Sequence, residues 1–148
     1  MLLDPRGVRF AAALTSLILV LVLVTGSGWL ALAQAAVFAA TAAVPARGPY
    51  GLLYKALVAP RLAPADAREP AAPVRFAQLV GLAFVLPAAL GYLLGAPVFG
   101  AVLIAAALVA AFLNAAFGLC LGCEVYLAMR RITGRPRPAR VPADGVQN

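Results

Sequence analysis

Histidine is absent from this 148-residue sequence, and cysteine occurs only twice. Without an imidazole, the chain has no Ser-His or Cys-His catalytic pair, no histidine-ligated haem and none of the common histidine-containing zinc sites. Two cysteines in one chain are also too few for a four-cysteine metal site. The sequence therefore predicts no metal site and no bound cofactor.

Charge is scarce as well. Charged residues make up 11% of the sequence and hydrophobic residues 64%, whereas an average soluble domain is about one quarter charged. Most of the surface must therefore face something other than water. The length suits a single domain, with no room for a separate catalytic module.

Four long apolar runs account for this composition. They cover residues 8–24, 29–44, 76–94 and 98–119, the last with an extension to 131. Each approaches the roughly 17–25 residues that a helix needs to cross the hydrocarbon of a bilayer. Tight uncharged breaks at 25–28 and 95–97 join the runs in pairs, as in helical hairpins. We predict an all-α integral membrane fold over residues 1–131, with four transmembrane helices forming two hairpins.

The basic residues predict the orientation of these helices. All 12 lie in three segments, which precede the first run, connect the second to the third, and follow the fourth: Arg6 and Arg9; Arg47, Lys55, Arg61, Arg68 and Arg75; Arg130, Arg131, Arg135, Arg137 and Arg140. The positive-inside rule places these segments, and both termini, in the cytoplasm. Because no stacking aromatics lie among them, we expect anionic lipid headgroups rather than nucleic acid as their partner.

Two segments outside the apolar runs have their own character. Residues 49–58 in the central connection form an amphipathic segment whose tyrosines and Lys55 suit the lipid headgroup level. Residues 132–148 predict a disordered basic tail, rich in arginine and proline.

A short motif occurs twice. Val-Arg-Phe-Ala opens the first apolar run at residues 8–11 and the third at 74–77. Four-residue matches arise readily by chance in an alanine- and valine-rich chain. The positions are also those expected of a parallel two-plus-two repeat, in which the hairpins pack around an axis along the membrane normal. Both interpretations remain open.

The sharpest candidate for chemistry is the pair Cys120 and Cys123, in a Cys-x-x-Cys motif. Such a pair can alternate between dithiol and disulfide, or hold a sulfur atom transiently; alternatively, both cysteines are small apolar packing residues. At the C-terminal end of a continuous fourth helix, the helix dipole and adjacent Glu124 disfavour a thiolate. Two more supporting residues, Arg130 and Arg131, offset this unfavourable electrostatic effect only in part. A helix break at Gly118 and Gly122 would change the geometry.

Small and amide side chains predict contacts between helices. Gly91 with Gly95, and Gly118 with Gly122, form Gly-x-x-x-Gly pairs, which typically let two helices approach closely. The amides within or at the mouth of the runs are predicted to hydrogen-bond between helices; a polar permeation path is the alternative: Gln34, Gln78 and Asn114.

The chain resembles a bacterial membrane family, the domain-of-unknown-function family numbered 4395. The resemblance covers nearly the whole chain and is carried by Asp4-Pro5-Arg6 with Arg9-Phe10, Pro49-Tyr50-Gly51, Arg75-Phe76-Ala77-Gln78, and the stretch from Asn114 to Tyr126 that contains Cys-Leu-Gly-Cys-Glu. The resemblance implies a protein of the bacterial cytoplasmic membrane. Genes of this family tend to neighbour those of thioredoxin-like proteins and thiosulfate sulfurtransferases, which implies sulfur or thiol-redox work.

Three hypotheses about function follow. The first is a cytoplasmic-face thiol site that exchanges electrons or sulfur with a soluble thioredoxin-like or sulfurtransferase partner. The second is a non-catalytic structural or docking subunit of a larger membrane complex, with the cysteines as packing. The third is a small oligomeric carrier of a sulfur-containing anion.

Overall fold

The computed structural model describes residues 2–136 and 141–142. Six helices form most of the fold: α1 Pro5–Thr25, α2 Gly28–Ala43, α3 Pro49–Leu57, α4 Ala71–Leu93, α5 Pro97–Phe117 and α6 Leu121–Ile132. Three short strands pair in the order β1, β2, β3: β1 Leu2–Leu3, β2 Ala67–Pro70 and β3 Val141–Pro142. Single 3₁₀ turns, Pro45–Arg47 and Ala59–Arg61, flank α3.

Three of these helices, α1, α4 and α5, are long and apolar enough to cross a membrane, with 21, 23 and 21 residues. The fourth apolar helix, α2, has 16 residues and is shorter than the usual spanning length. The fold is therefore that of a mostly helical membrane protein, and a fourth crossing stays a prediction. α3 lies within the segment predicted to be amphipathic.

Local sequence explains where the first two apolar helices begin and end. The side chain of Asp4 caps the start of α1 by accepting the Arg6 amide at 2.8 Å. Gly26 ends α1 with φ +62°, a left-handed conformation that favours glycine. Ser27 then caps α2 by accepting the Leu30 amide at 3.2 Å.

The helices pack in two main pairs, α2 against α4 and α1 against α5, and α4 also contacts α5. The buried core contains few large side chains and many alanines, including Ala31, Ala35, Ala88 and Ala89, so helix backbones can approach closely. Large apolar side chains on the opposite faces are exposed, as a lipid-facing surface requires; Phe112 on α5 is 55% exposed.

The two copies of the Val-Arg-Phe-Ala motif make equivalent contacts. Arg9 at the start of α1 donates to the carbonyls of Ala115 and Ala116 at the end of α5 (3.2 and 3.3 Å), whereas Arg75 in α4 donates to Ala42 at the end of α2 (2.8 Å). A cation at the C-terminus of a helix stabilises its last carbonyls and its dipole. The phenylalanines that follow these arginines contact tyrosines of α3 and α6, each at 5.7 Å between ring centroids: Phe10 with Tyr54, and Phe76 with Tyr126.

The structure departs from the prediction in two places and leaves a third untested. The fourth apolar helix does not extend to 131, because α5 ends at Phe117 and α6 begins separately at Leu121. The small sheet was not predicted, since its strands have only two to four residues. Of the predicted tail, the structure describes 132–136 and 141–142; residues 137–140 and 143–148 lie outside the described residues, so its disorder stays a prediction.

Candidate functional site

The break between α5 and α6 positions the two cysteines. Gly118 has φ +68°, which favours glycine because a side chain there would be strained. Its amide donates to Asn114 at 3.0 Å, and the Leu119 amide donates to Leu113 at 3.2 Å. These bonds satisfy carbonyls in the last turn of α5, and the bond from Gly118 to Asn114 is the 5→1 bond of an αL cap. The chain then starts α6 at Leu121, three residues after Gly118.

Cys120 is the N-cap residue of α6, with an extended backbone at φ −84° and ψ 96°. Its Sγ accepts the backbone amide of Cys123 at 3.3 Å, as Ser or Asp side chains do at other helix starts. The two sulfurs form a disulfide, with their Cα atoms 5.1 Å apart. Cys120 is therefore joined to Cys123, the third residue of α6, by the disulfide and by a hydrogen bond from the Cys123 backbone amide.

This geometry reverses the expected electrostatics of the pair. The sequence predicted that the cysteines lie at the C-terminal end of a helix, where a thiolate is disfavoured. They lie instead at an N-terminal end, where free amide groups and the helix dipole stabilise a negative sulfur. Glu124 lies in the exposed first turn of α6, where a carboxylate also favours the helix start.

Arg130 and Arg131, predicted to support the cysteines, lie at the opposite end of α6 from them. Both lie in the last turn of α6, about 15 Å along the helix axis from Cys120 at 1.5 Å per residue. Arg130 stacks on Tyr126 at 5.7 Å and donates to its hydroxyl at 2.8 Å. The basic residue near the break is Arg9, whose side chain lies 3.9 Å from an ideal Cβ built on Gly118. The repeated Val-Arg-Phe-Ala motif was the sequence signal for this arginine.

The four glycines predicted as helix contacts divide into two kinds. Gly122 and Gly91 are true close approaches, since an ideal Cβ would lie 2.6 Å from Ala77 Cα and 2.9 Å from Phe99 Cδ1 respectively. Gly95 and Gly118 instead end helices, with φ of +87° and +68°. Their assignment as contact positions is corrected, because no single helix runs through either Gly-x-x-x-Gly pair.

A cavity of about 720 Å³ opens beside Cys120. All six helices contribute to its wall, which is mostly alanine, valine and aromatic side chains. Cys120 itself lines the cavity together with Leu121 and Gly122 at the start of α6. The disulfide therefore borders a largely apolar space inside the bundle rather than a flat surface.

The three predicted amides behave differently. Gln34 is buried and bridges three helices, because it donates to Thr15 at 3.5 Å and accepts from Tyr50 at 2.6 Å. Burial raises the pKa of Tyr50, so its hydroxyl keeps the donated proton. Gln78 and Asn114 line the cavity, and in the described part of the chain neither side chain makes the predicted interhelical hydrogen bond.

A second tyrosine of α3 links the chain's start to the same wall. Tyr54 is buried at 4% exposure and donates to Asp4 Oδ2 at 3.1 Å. Burial raises the pKa of Tyr54, and Asp4 raises it further as hydrogen-bond acceptor and negative charge. Both residues line the cavity. Sequence reasoning missed this contact, because the partners are fifty positions apart.

Comparison with known proteins adds a family but no activity. Residues 3–131 match the family described as Domain of unknown function (DUF4395). No curated protein and no solved structure matches the chain. Within residues 2–136 and 141–142, no group of three or more histidine, cysteine or acidic residues could hold a metal ion.

Proposed function

The chain belongs to the family Domain of unknown function (DUF4395), and we propose that it is a membrane thiol–disulfide protein whose reactive pair is Cys120 and Cys123. The pair alternates between disulfide and dithiol by exchange with a soluble thioredoxin-like or sulfurtransferase partner. The observation that carries this proposal is the position of Cys120 at the N-cap of α6, bonded to Cys123 in the first turn.

A helix N-terminus favours the chemistry because the attacking and leaving species in disulfide exchange are thiolates. A partner thiolate attacks Cys120 Sγ, the bond between the cysteines breaks, and the electron pair leaves on Cys123 Sγ, which takes up a proton. The partner's second thiolate then attacks the partner's first sulfur, which is bonded to Cys120 in the mixed disulfide. Cys120 departs as the thiolate that the first turn of α6 stabilises, and the partner leaves oxidised.

Accessibility of the pair supports a reactive role over a packing role. Both cysteines are only half-buried, and neither belongs to the buried core of the described residues. Gly118 and Gly122 act together at this point, one ending α5 and the other letting α6 approach α4. A pair of packing cysteines would need neither the capped break nor a path to solvent.

The proposed topology brings this site to the cytoplasmic face of a bacterial inner membrane. In this arrangement α1, α2, α4 and α5 all cross the bilayer as two hairpins. Gly28 at one hairpin tip packs against Leu93 at the other, and the arginine contacts of Arg9 and Arg75 lie at the opposite helix ends. The basic end would contact anionic headgroups and a soluble partner.

Trapping of a mixed disulfide tests the proposal. The probe is a thioredoxin whose second active-site cysteine is replaced and whose first carries an aromatic disulfide. In lipid nanodiscs, Cys123→Ser leaves Cys120 free to displace the aromatic thiolate, and we expect an adduct visible as a gel shift. The matched variant Cys120→Ser should form the adduct at least roughly tenfold more slowly, since only the Cys120 sulfur occupies the N-cap and accepts a free backbone amide of α6.

Two outcomes would contradict the proposal. Equal rates of adduct formation in the two variants would contradict the argument that the helix N-terminus activates Cys120. Failure of both thiols to react with a membrane-permeant alkylating reagent before denaturation would make them packing residues. The docking-subunit hypothesis would then be favoured, whereas the anion-carrier hypothesis predicts transport that survives replacement of both cysteines by serine.

A further inference from the structure

The cavity beside Cys120 has the properties of a ligand site. We propose that it binds the ring of a membrane quinone, which takes the two electrons of the reduced Cys120/Cys123 pair. The inference rests on the proposed function, because it names the acceptor that returns the pair to its disulfide form. The quinone and the soluble dithiol partner are the two substrates of this reaction.

Size and lining define the chemical class of the ligand. A volume of about 720 Å³ falls within the roughly 300–1,000 Å³ of typical small-molecule sites. The wall that α1, α4 and α5 contribute is made largely of alanine, valine and phenylalanine, including Ala107, Ala110 and Phe84. A ligand of this space is therefore mostly apolar.

Two unpartnered amides supply the polar contacts that such a ligand needs. Gln78 on α4 and Asn114 on α5 both line the cavity, and among the described residues neither side chain has a hydrogen-bond partner. A side-chain amide has both a donor NH₂ and an acceptor oxygen. It can therefore donate to the carbonyl oxygens of a quinone and accept from the hydroxyl groups of the hydroquinone.

The Cys120 sulfur lies close enough to the cavity to react with a ligand bound there. Gly122 packs so closely on Ala77, the residue before Gln78, that an ideal Cβ would lie 2.6 Å from Ala77 Cα. This approach places the start of α6, with Cys120, in the same wall as the amide. A ligand held by Gln78 or Asn114 would thus share one apolar space with the sulfur.

The electron transfer balances without a further reactant. In the dithiol form, Cys120 and Cys123 lose two protons and two electrons, and one S–S bond replaces two S–H bonds. The quinone gains the same protons and electrons, and its two carbonyl groups become hydroxyl groups. With the soluble partner included, a partner dithiol is oxidised to a disulfide for each hydroquinone that is formed.

Oxidation of the reduced pair by a quinone provides the test. The protein in phospholipid nanodiscs is reduced, freed of reductant and mixed with a fully substituted benzoquinone carrying a short alkyl chain, which cannot form thiol adducts on its ring. We expect one quinone reduced per disulfide formed, measured by quinone absorbance and by alkylation of remaining thiols. Gln78→Leu with Asn114→Leu, or Ala110→Phe, should slow this step at least tenfold.

A matched variant and a second assay keep the result interpretable. Ala105→Phe adds the same bulk to the exposed face of α5, outside the cavity wall, and should oxidise at the wild-type rate. Each variant must also retain thioredoxin adduct formation in the trapping assay, made with Cys123→Ser added, which shows that the site is folded.

The outcomes separate the two proposals. Wild-type protein that forms the thioredoxin adduct but is not oxidised by the quinone overturns the quinone site and leaves the proposed function standing. Equal oxidation rates in Ala110→Phe and Ala105→Phe would show reaction outside the cavity, which also overturns it. Loss of both the adduct and the quinone reaction in wild-type protein would reject the proposed function itself.

Discussion

Replacement of Gly122 by alanine tests whether the close packing of α6 on α4 positions the cysteine helix. An ideal Cβ at this position would lie 2.6 Å from the Cα and 2.7 Å from the Cβ of Ala77. Carbon atoms in contact prefer about 3.5–4.0 Å, so the two helices must separate by roughly 1 Å. Because Ala77 presents backbone here, no change of rotamer can relieve the contact.

The expected change in stability combines two opposing effects. Overpacking of this kind costs about 1–3 kcal/mol, while replacement of glycine by alanine within a helix gains up to about 1 kcal/mol. Gly122→Ala should therefore destabilise the protein by up to about 3 kcal/mol. Gly51→Ala is the matched control, because it lies in the first turn of α3 and its Cβ would meet its nearest atom, the Pro45 carbonyl oxygen, at 3.9 Å.

Thermal unfolding in one detergent measures the difference. Gly51→Ala should be as stable as wild type or up to about 1 kcal/mol more stable. A gap of about 1–3 kcal/mol between the variants corresponds to roughly 2–12 °C in Tm for a protein of this size. Gly122→Ala should also slow adduct formation at Cys120. Equal melting temperatures for the two variants would refute the packing argument.

Three further predictions follow from the same structure. Tyr50→Phe leaves the buried oxygen of Gln34 without its donor and should cost about 1–3 kcal/mol of unfolding free energy; Tyr54→Phe, whose partner Asp4 is not buried, should cost less, and the reverse order in thermal unfolding would be contrary evidence. Gly118→Ala, strained at positive φ, should lose about 1–2 kcal/mol relative to wild type, whereas Gly118→Asn should lose less, as circular dichroism melting can measure; equal losses would count against the left-handed cap. A cysteine replacing Ser27, in a chain without the native pair, should label from outside intact cells, and one placed after α6 should not; external labelling of the latter would invert the proposed orientation.

The helical character of the fold follows directly from sequence pattern. The apolar runs and glycine breaks predicted helices whose limits agree with the structure to within a few residues for α1 and α2, and the segment predicted to be amphipathic contains α3. Such elements depend on hydropathy and local capping, which neighbouring residues determine. The β-sheet escaped prediction because its register depends on segments that are far apart in the chain.

For the candidate site, the Cys-x-x-Cys pattern was enough to identify the residues that we propose carry chemistry. The Cys-x-x-Cys spacing established that Cys120 and Cys123 can bond, and the sequence placed Gly118 and Gly122 around them as the only local sign of a break. Whether Gly118 continues a helix or ends it depends on the positive φ that it adopts, and that choice reverses the dipole at the sulfur. Periodicity cannot decide this, because the residues on both sides of Gly118, Phe117 and Leu119, are apolar.

The surroundings of the cysteines depend on contacts between residues far apart in the chain. Gln34, Gln78 and Asn114 carry the same amide group. Packing gives Gln34 two hydrogen-bond partners, whereas Gln78 and Asn114 face a cavity. The contact of Arg9 with Ala115 joins residues more than one hundred positions apart. The cavity is the space that the six packed helices leave unfilled. Its volume and its position beside Cys120 therefore depend on long-range packing, which no local sequence pattern encodes.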